Sequence, residues 1–157
     1  MFFSADLVDF AKRILEKSAA KNIKLSFAES CTGGLLSALF TEIAGSSKVV
    51  DRGFVVYSNQ AKIDLLEVNE LTLKKFGAVS FETASEMAAG ALKNSNANIA
   101  ISITGVAGEE EKSGLVFMAV ATQGQAILKR KYQFSGTRFE IRKASVIAAL
   151  SLIEQLI

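Results

Sequence analysis

Short apolar runs of strand length alternate along this chain with stretches whose apolar residues recur every three or four positions, and this alternation restricts the available folds more than any other feature. Residues 4–20 place Leu7, Ala11, Ile14, Leu15 and Ser18 at helical spacing. Ser4 stands in front as an N-cap, and Asp6 falls in the first turn, where the helix dipole favours a carboxylate. Residues 24–29 read as a strand that runs into the turn Ser30-Cys31-Thr32-Gly33-Gly34, and the helix begun at Leu35 closes at Gly45. A buried strand is expected at 53–58, followed by helices at 59–68, 70–76 and 81–93, the last opened by Ser80. Further strands are expected at 98–104, 115–122 and 126–134, with Gln123-Gly124-Gln125 joining the last two as a hairpin. From Arg138 onward, Val146, Ala149, Leu150, Ile153 and Ile157 form one apolar helical stripe. The pattern predicts an α/β fold, a three-layer α/β/α arrangement around a mixed, mostly parallel central sheet, rather than a bundle or a barrel.

With 157 residues and no segment that reads as a linker, one domain over 1–157 is expected. A chain of that size buries roughly two-thirds of its unfolded surface without disulfide or metal staples. A single Cys builds no disulfide framework, and the absence of His excludes the Ser-His-Asp triad, the Cys-His pair and every His-containing metal site. No metal or redox cofactor is expected, and any catalytic base is Lys, Asp, Glu, Tyr or the terminal amine. Eighteen basic residues against sixteen acidic ones, a net charge of +2, give no global field for nucleic acid. The run Lys129–Lys131 lies on a predicted strand, so its charges alternate between faces. Asp6 and Asp9 interrupt the opening residues before an apolar signal-peptide core could form, and Ala144–Ile153 falls far short of the ~20 residues a bilayer span requires. The expectation is a cytoplasmic protein in a reducing compartment, with neither a nucleic acid nor a membrane as partner.

In open α/β sheets, ligands bind where strand ends feed helix N-termini, so the strand-to-helix turns are the places to look for chemistry. In Glu29-Ser30-Cys31-Thr32-Gly33-Gly34, the glycines let a ligand or another backbone approach, and neighbouring amides could receive an oxyanion. The bland alternative is that Ser30 or Thr32 is an N-cap and the glycines serve helix-sheet packing. Cys31, with no His to deprotonate it, reads as a small buried residue. In Tyr57-Ser58-Asn59-Gln60-Ala61-Lys62, the lysine falls in the first turn of a predicted helix, where the dipole disfavours a cation. Made neutral by burial, Lys62 could serve a serine nucleophile as base, and Tyr57 could relay a proton. Otherwise Lys62 is a solvated surface lysine and Tyr57 a core or interface aromatic. A third turn, Thr104-Gly105-Val106-Ala107-Gly108, follows another strand. Arg138 and Arg142 stand four apart near the start of the last helix, suited to an anion or else to a solvated face paired with Glu140.

Several of these segments together resemble a known family. AESCTGG at 28–34, GFVVYSNQAKIDLL at 53–66, FGAVSFETASEMAAGAL at 76–92, SITGVAG at 102–108 and SGTRFEIR at 135–142 resemble, in order and spacing, the C-terminal domain of the CinA (competence/damage-inducible) family. The resemblance implies nicotinamide-nucleotide amidohydrolase activity, in which nicotinamide mononucleotide and water give nicotinate mononucleotide and ammonia. It implies Ser30 as nucleophile, Lys62 as base and Tyr57 as a supporting hydroxyl. Thr32, Gly33 and Gly34 would supply oxyanion donors, Asn59, Thr104 and Gly105 would line the site, and Arg138 with Arg142 would hold the phosphate. The partner is then a small-molecule nucleotide, and the assembly a homo-oligomer, a dimer. The alternative is a non-catalytic nucleotide-binding or regulatory module with the same pocket. The chain departs from the family pattern after Gly108. Where members carry Pro and several glycines, this chain has Glu109-Glu110-Glu111-Lys112-Ser113-Gly114, three acids beside the expected phosphate site.

Overall fold

A computed structural model describes residues 2–157. The elements are α1 (Ala5–Ala20), β1 (Leu25–Glu29), α2 (Leu35–Thr41), β2 (Val50–Val55), α3 (Asn59–Leu66) and α4 (Glu70–Phe76), then α5 (Phe81–Lys93), β3 (Ile99–Gly105), β4 (Leu115–Thr122), β5 (Leu128–Gln133) and α6 (Arg138–Glu154). The strands form one sheet in the order β2-β1-β3-β4-β5. β1 pairs in parallel with β2 and β3, β4 is antiparallel to β3, and β5 is antiparallel to β4. β4 alone therefore runs against the other four strands, and the sheet is mixed and mostly parallel, as its sequence pattern predicts.

The two faces of the sheet are built from different residue sizes. On one, Phe27, Ile101, Ile103, Met118 and Val120 meet the apolar stripes of α1 and α6 and the Leu36, Leu39 and Phe40 side chains of α2. On the other, Ala28, Ala100, Ala119 and Ala121 meet Ala84, Ala88 and Ala91 of α5, small side chains on both surfaces that bring helix and sheet close. α3 and α4 share this second face through Leu66 and Leu73. Two helical layers on one sheet complete the three-layer α/β/α architecture, and the central strands β1 and β3 are buried on both faces.

One contact in the second layer permits only glycine. A Cβ at Gly90 of α5 would collide with the backbone carbonyl of Leu66, the last residue of α3. Gly90→Ala gains helix propensity of about 1 kcal/mol but must push α3 off α5. The expected outcome is a net loss of about 1–3 kcal/mol, read as a lower denaturant midpoint with unchanged slope. A stabilised variant would contradict this packing.

Several boundaries differ from expectation. β2 starts at Val50, three residues before the predicted strand, and it is a half-exposed edge rather than a buried strand. Its first residues, Val50-Asp51-Arg52, have no apolar pattern of their own; Val50 and Arg52 pair with Leu25 and Ser26 of β1, and Asp51 is the unpaired residue at the register shift between them. α2 ends at Thr41, and Gly45 turns the chain a few residues later at φ 88°. α3 stops at Leu66 because Glu67 takes a left-handed conformation at φ 57°. β5 is trimmed to 128–133, so the hairpin connection runs from 123 to 127, with Gly124 at φ 71°. Ser4 occupies the N-cap of α1, but its hydroxyl makes no capping bond. Ile157 is only partly buried against the core. Lys131 lies over the Phe117 ring, while Arg130 pairs with Met118 of the opposite face. Among the described residues, no helix is long and apolar enough to cross a membrane.

Candidate active site

The topology creates a crevice at one end of β1. The chain leaves β1 through α2, in the layer of α1 and α6, to reach β2 on one side; it then returns through α3, α4 and α5, in the opposite layer, to reach β3 on the other side. Connections that diverge to opposite faces from adjacent strands leave open space at the carboxyl ends of those strands. Ser30 follows β1 directly, and Thr104 and Gly105 close β3. The Ser30 N–H donates to the Ile103 carbonyl at 3.0 Å, tying the two strand ends together.

Strand alternation then assigns each side chain to a layer. Phe27 belongs to the α1/α2/α6 core and Ala28 to the α3/α5 core. Continuing the alternation, Glu29 turns toward α2 and Ser30 toward α3. Lys62, in the second turn of α3, is 1% exposed, and its Nζ lies 3.2 Å from Ser30 Oγ, 2.9 Å from the Val56 carbonyl and 3.1 Å from the Tyr57 carbonyl. Among the described residues, Lys62 takes part in no ion pair. Burial holds its amine below the ordinary lysine range. Burial likewise pushes the neighbouring Cys31 thiol up to about 11, so near neutral pH it stays uncharged and offers the amine no counter-charge.

A cavity of about 210 Å³ opens here, lined by Ser30, Tyr57, Lys62, Thr104, Gly105 and Arg138, with Cys31 and Glu110 also on its wall. Thr32, Gly33, Gly34, Asn59 and Arg142 are not on its wall, and the polar groups of Tyr57 and Thr104 are engaged otherwise than expected. Thr32 is fully buried, its hydroxyl without a partner, and its carbonyl accepts from Arg142 Nη2 at 2.9 Å. Arg142 thus splints the Ser30 turn instead of joining Arg138 at the cavity. The Gly33 N–H is spent on the Ser30 carbonyl at 3.1 Å, and Gly34, at φ 93°, is the N-cap of α2. Asn59 is exposed on a different groove beside Gln60 and Lys74. Tyr57 is 68% exposed, and it is its carbonyl rather than its hydroxyl that holds Lys62. The Thr104 hydroxyl donates to the Ala78 carbonyl at 2.7 Å, and Glu140 closes a capping box with Thr137 instead of pairing with an arginine.

The sequence profile of the CinA C-terminal domain family matches residues 8–157. The chain belongs to the CinA C-terminal domain family. Nicotinamide-nucleotide amidohydrolase PncC of Escherichia coli (strain K12) is 41% identical to it over 157 residues, covering 96% of this chain and 94% of the relative. A Caldicellulosiruptor saccharolyticus protein with the provisional name competence-damage inducible protein is 48% identical over 149 residues. That match covers 92% of this chain but only 36% of the longer relative. The crystal structure of competence/damage inducible protein CihA from Agrobacterium tumefaciens superposes with a TM-score of 0.95 at 44% identity, over 98% of this chain and 97% of that one.

In this CinA C-terminal domain the residue that sequence reasoning missed is Glu29. It is 0% exposed, and its carboxylate accepts from the Leu36 N–H at 3.0 Å, the Ser37 N–H at 2.8 Å and the Ser37 hydroxyl at 2.7 Å. Neither Ser30 nor Thr32 caps α2; the last residue of β1 does so from behind. The available signal was an acid at a strand position whose neighbours are all apolar or small, where it must find donors to be buried. Among the described residues, no group of three or more His, Cys, Asp or Glu side chains stands together as a metal site.

Proposed function

We propose that this domain is an amidohydrolase converting nicotinamide mononucleotide and water into nicotinate mononucleotide and ammonia, with Ser30 as nucleophile and Lys62 as base. The observation that carries this reading is the 3.2 Å approach of Lys62 Nζ to Ser30 Oγ inside a cavity where no carboxylate pairs with the amine. A neutral amine has two N–H donors and one lone pair. The two carbonyls of Val56 and Tyr57 match the donors, which leaves the lone pair for the Ser30 proton. As Ser30 Oγ bonds to the carboxamide carbon, Lys62 takes that proton. When the C–N bond breaks, Lys62 returns it to the departing ammonia, and a water activated by the same amine clears the acyl-enzyme. The turn amides of Cys31 and Thr32, which follow Ser30 directly and make no backbone hydrogen bond, are our candidates for the oxyanion donors. Arg138 at the start of α6 is the anion-binding side chain for the phosphate.

The direct test incubates the protein with nicotinamide mononucleotide and measures ammonia and nicotinate mononucleotide in equal amounts. No turnover would overturn the reading in favour of a non-catalytic nucleotide-binding module. A pH series adds a second check. Because Lys62 is held below the ordinary lysine value, a larger fraction is neutral near pH 7 than for a free lysine. As pH falls through the lowered value the amine protonates, and kcat/KM drops about tenfold per unit. The unfolded chain binds this proton more readily than the native one, so stability rises with pH between the lowered value and the ordinary one. Lys62→Met should remove that slope; a slope unchanged in the variant would mean that Lys62 is not the group responsible.

A further inference from the structure

Two charged side chains border the cavity without neutralising each other. Arg138 and Glu110 both line the Ser30 cavity, and both also line a wider adjoining groove of about 960 Å³. Neither takes part in any of the ion pairs among the described residues. Of the three consecutive acids, Glu109 lines only the groove, Glu111 lines neither space, and Glu110 alone reaches the Ser30 cavity. Its carboxylate lies against Gly108 in the turn after β3, where an added Cβ would collide with it, and Gly108 lines the same cavity. A third acid on the groove, Glu140, has its carboxylate occupied by Thr137. A ligand passing from the groove to Ser30 passes Glu109 at the groove and then, on the wall of the Ser30 cavity itself, meets one free carboxylate, Glu110, and one free guanidinium, Arg138.

We propose that Glu110 is a specificity-determining residue that makes the cavity select amides whose ring bears a fixed positive charge, while Arg138 takes an anionic group on the same ligand. This rests on the amidohydrolase reading and assigns recognition of the substrate's cationic ring to a particular side chain. A pyridinium ring near the carboxylate is favoured by Coulomb attraction, a neutral ring of the same shape gains nothing, and a ring carrying a negative group is repelled. The effect is larger in a partly enclosed cavity than on open surface, and salt screens it.

The test compares nicotinamide mononucleotide with its reduced dihydropyridine form, which has the same phosphate and nearly the same shape but an uncharged ring. Binding is measured by calorimetry in Ser30→Ala, which lacks the nucleophile, and in Ser30→Ala/Glu110→Gln. Glu110 is exposed on a loop, so the substitution leaves the core untouched. Ser30→Ala is expected to favour the cationic ligand by about tenfold, with the gap narrowing as salt rises. The double variant should bind both ligands alike while keeping its affinity for the neutral one. An equal preference in both proteins, or no binding of either ligand, overturns the proposal. Catalysis by the unaltered protein is read separately. Ammonia release together with a preference that ignores Glu110→Gln sinks the role of Glu110 and leaves the amidohydrolase reading standing. A Glu110-dependent preference without ammonia release supports Glu110 and sinks the amidohydrolase.

Discussion

Replacing Lys62 by Met is expected to lower kcat for ammonia release by about 10³-fold or more while leaving KM within a few-fold. Methionine follows the path of the lysine stem through a site that is 1% exposed, and no ion pair is lost with the amine. The carbonyls of Val56 and Tyr57 lose a donor each, at about 1–3 kcal/mol for a buried acceptor. Removal of a desolvated amine offsets part of that cost, so the circular-dichroism spectrum should stay native. Ser30→Ala should fall to a similar rate, and the double variant no further, because a nucleophile without its base and a base without its nucleophile are equally idle. Multiplying losses would instead make Lys62 a structural residue acting apart from Ser30, and near-normal turnover in either single variant would end the Ser-Lys mechanism.

Glu29→Ala should be the most destabilising single change near the site. It would strand the buried Leu36 N–H and the part-buried N–H and hydroxyl of Ser37. At about 1–3 kcal/mol for each unsatisfied donor, the loss is about 3 kcal/mol or more, a large share of the stability of a domain this size. Glu29→Gln keeps one acceptor oxygen but turns an NH₂ toward the remaining donors, so it should fall between wild type and Ala. Chemical denaturation followed by fluorescence or circular dichroism measures both. A Glu29→Ala variant within about 0.5 kcal/mol of wild type would mean that water replaces the carboxylate and that the α2 cap is not structural.

The layers were legible because the residues that build them carry their own periodicity. The α1 stripe Leu7, Ala11, Ile14, Leu15 and Ser18 is buried as its spacing requires. α5 begins at Phe81 behind its Ser80 cap, and β4 spans Leu115–Thr122, both as expected. The sequence pattern misplaces the edge strand β2 because Val50 and Arg52 become strand through pairing with Leu25 and Ser26 of β1, with Asp51 unpaired at the register shift between them, a long-range arrangement with no local signature. At the site, the proximity of Ser30 and Lys62 could be anticipated because both follow strand ends at the same edge of the sheet. The divergent uses of Arg138 and Arg142 could not, since helical spacing assigns a shared face but not which neighbour each guanidinium reaches. Tyr57 shows the same limit, for spacing does not reveal that its carbonyl rather than its phenol faces the amine.

The carboxylate seated against α2 also bears on how the proposed nucleotide substrate would lie. Many folds of this type keep the amides at a helix entrance for a guest phosphate; here the polypeptide supplies a resident anion of its own, and that berth is filled before any substrate arrives. Under the proposed reading a phosphorylated ligand would thereby be turned away from the innermost turn and led tail-outward to the Arg138 guanidinium, so that its amide would be the end that travels inward to the serine.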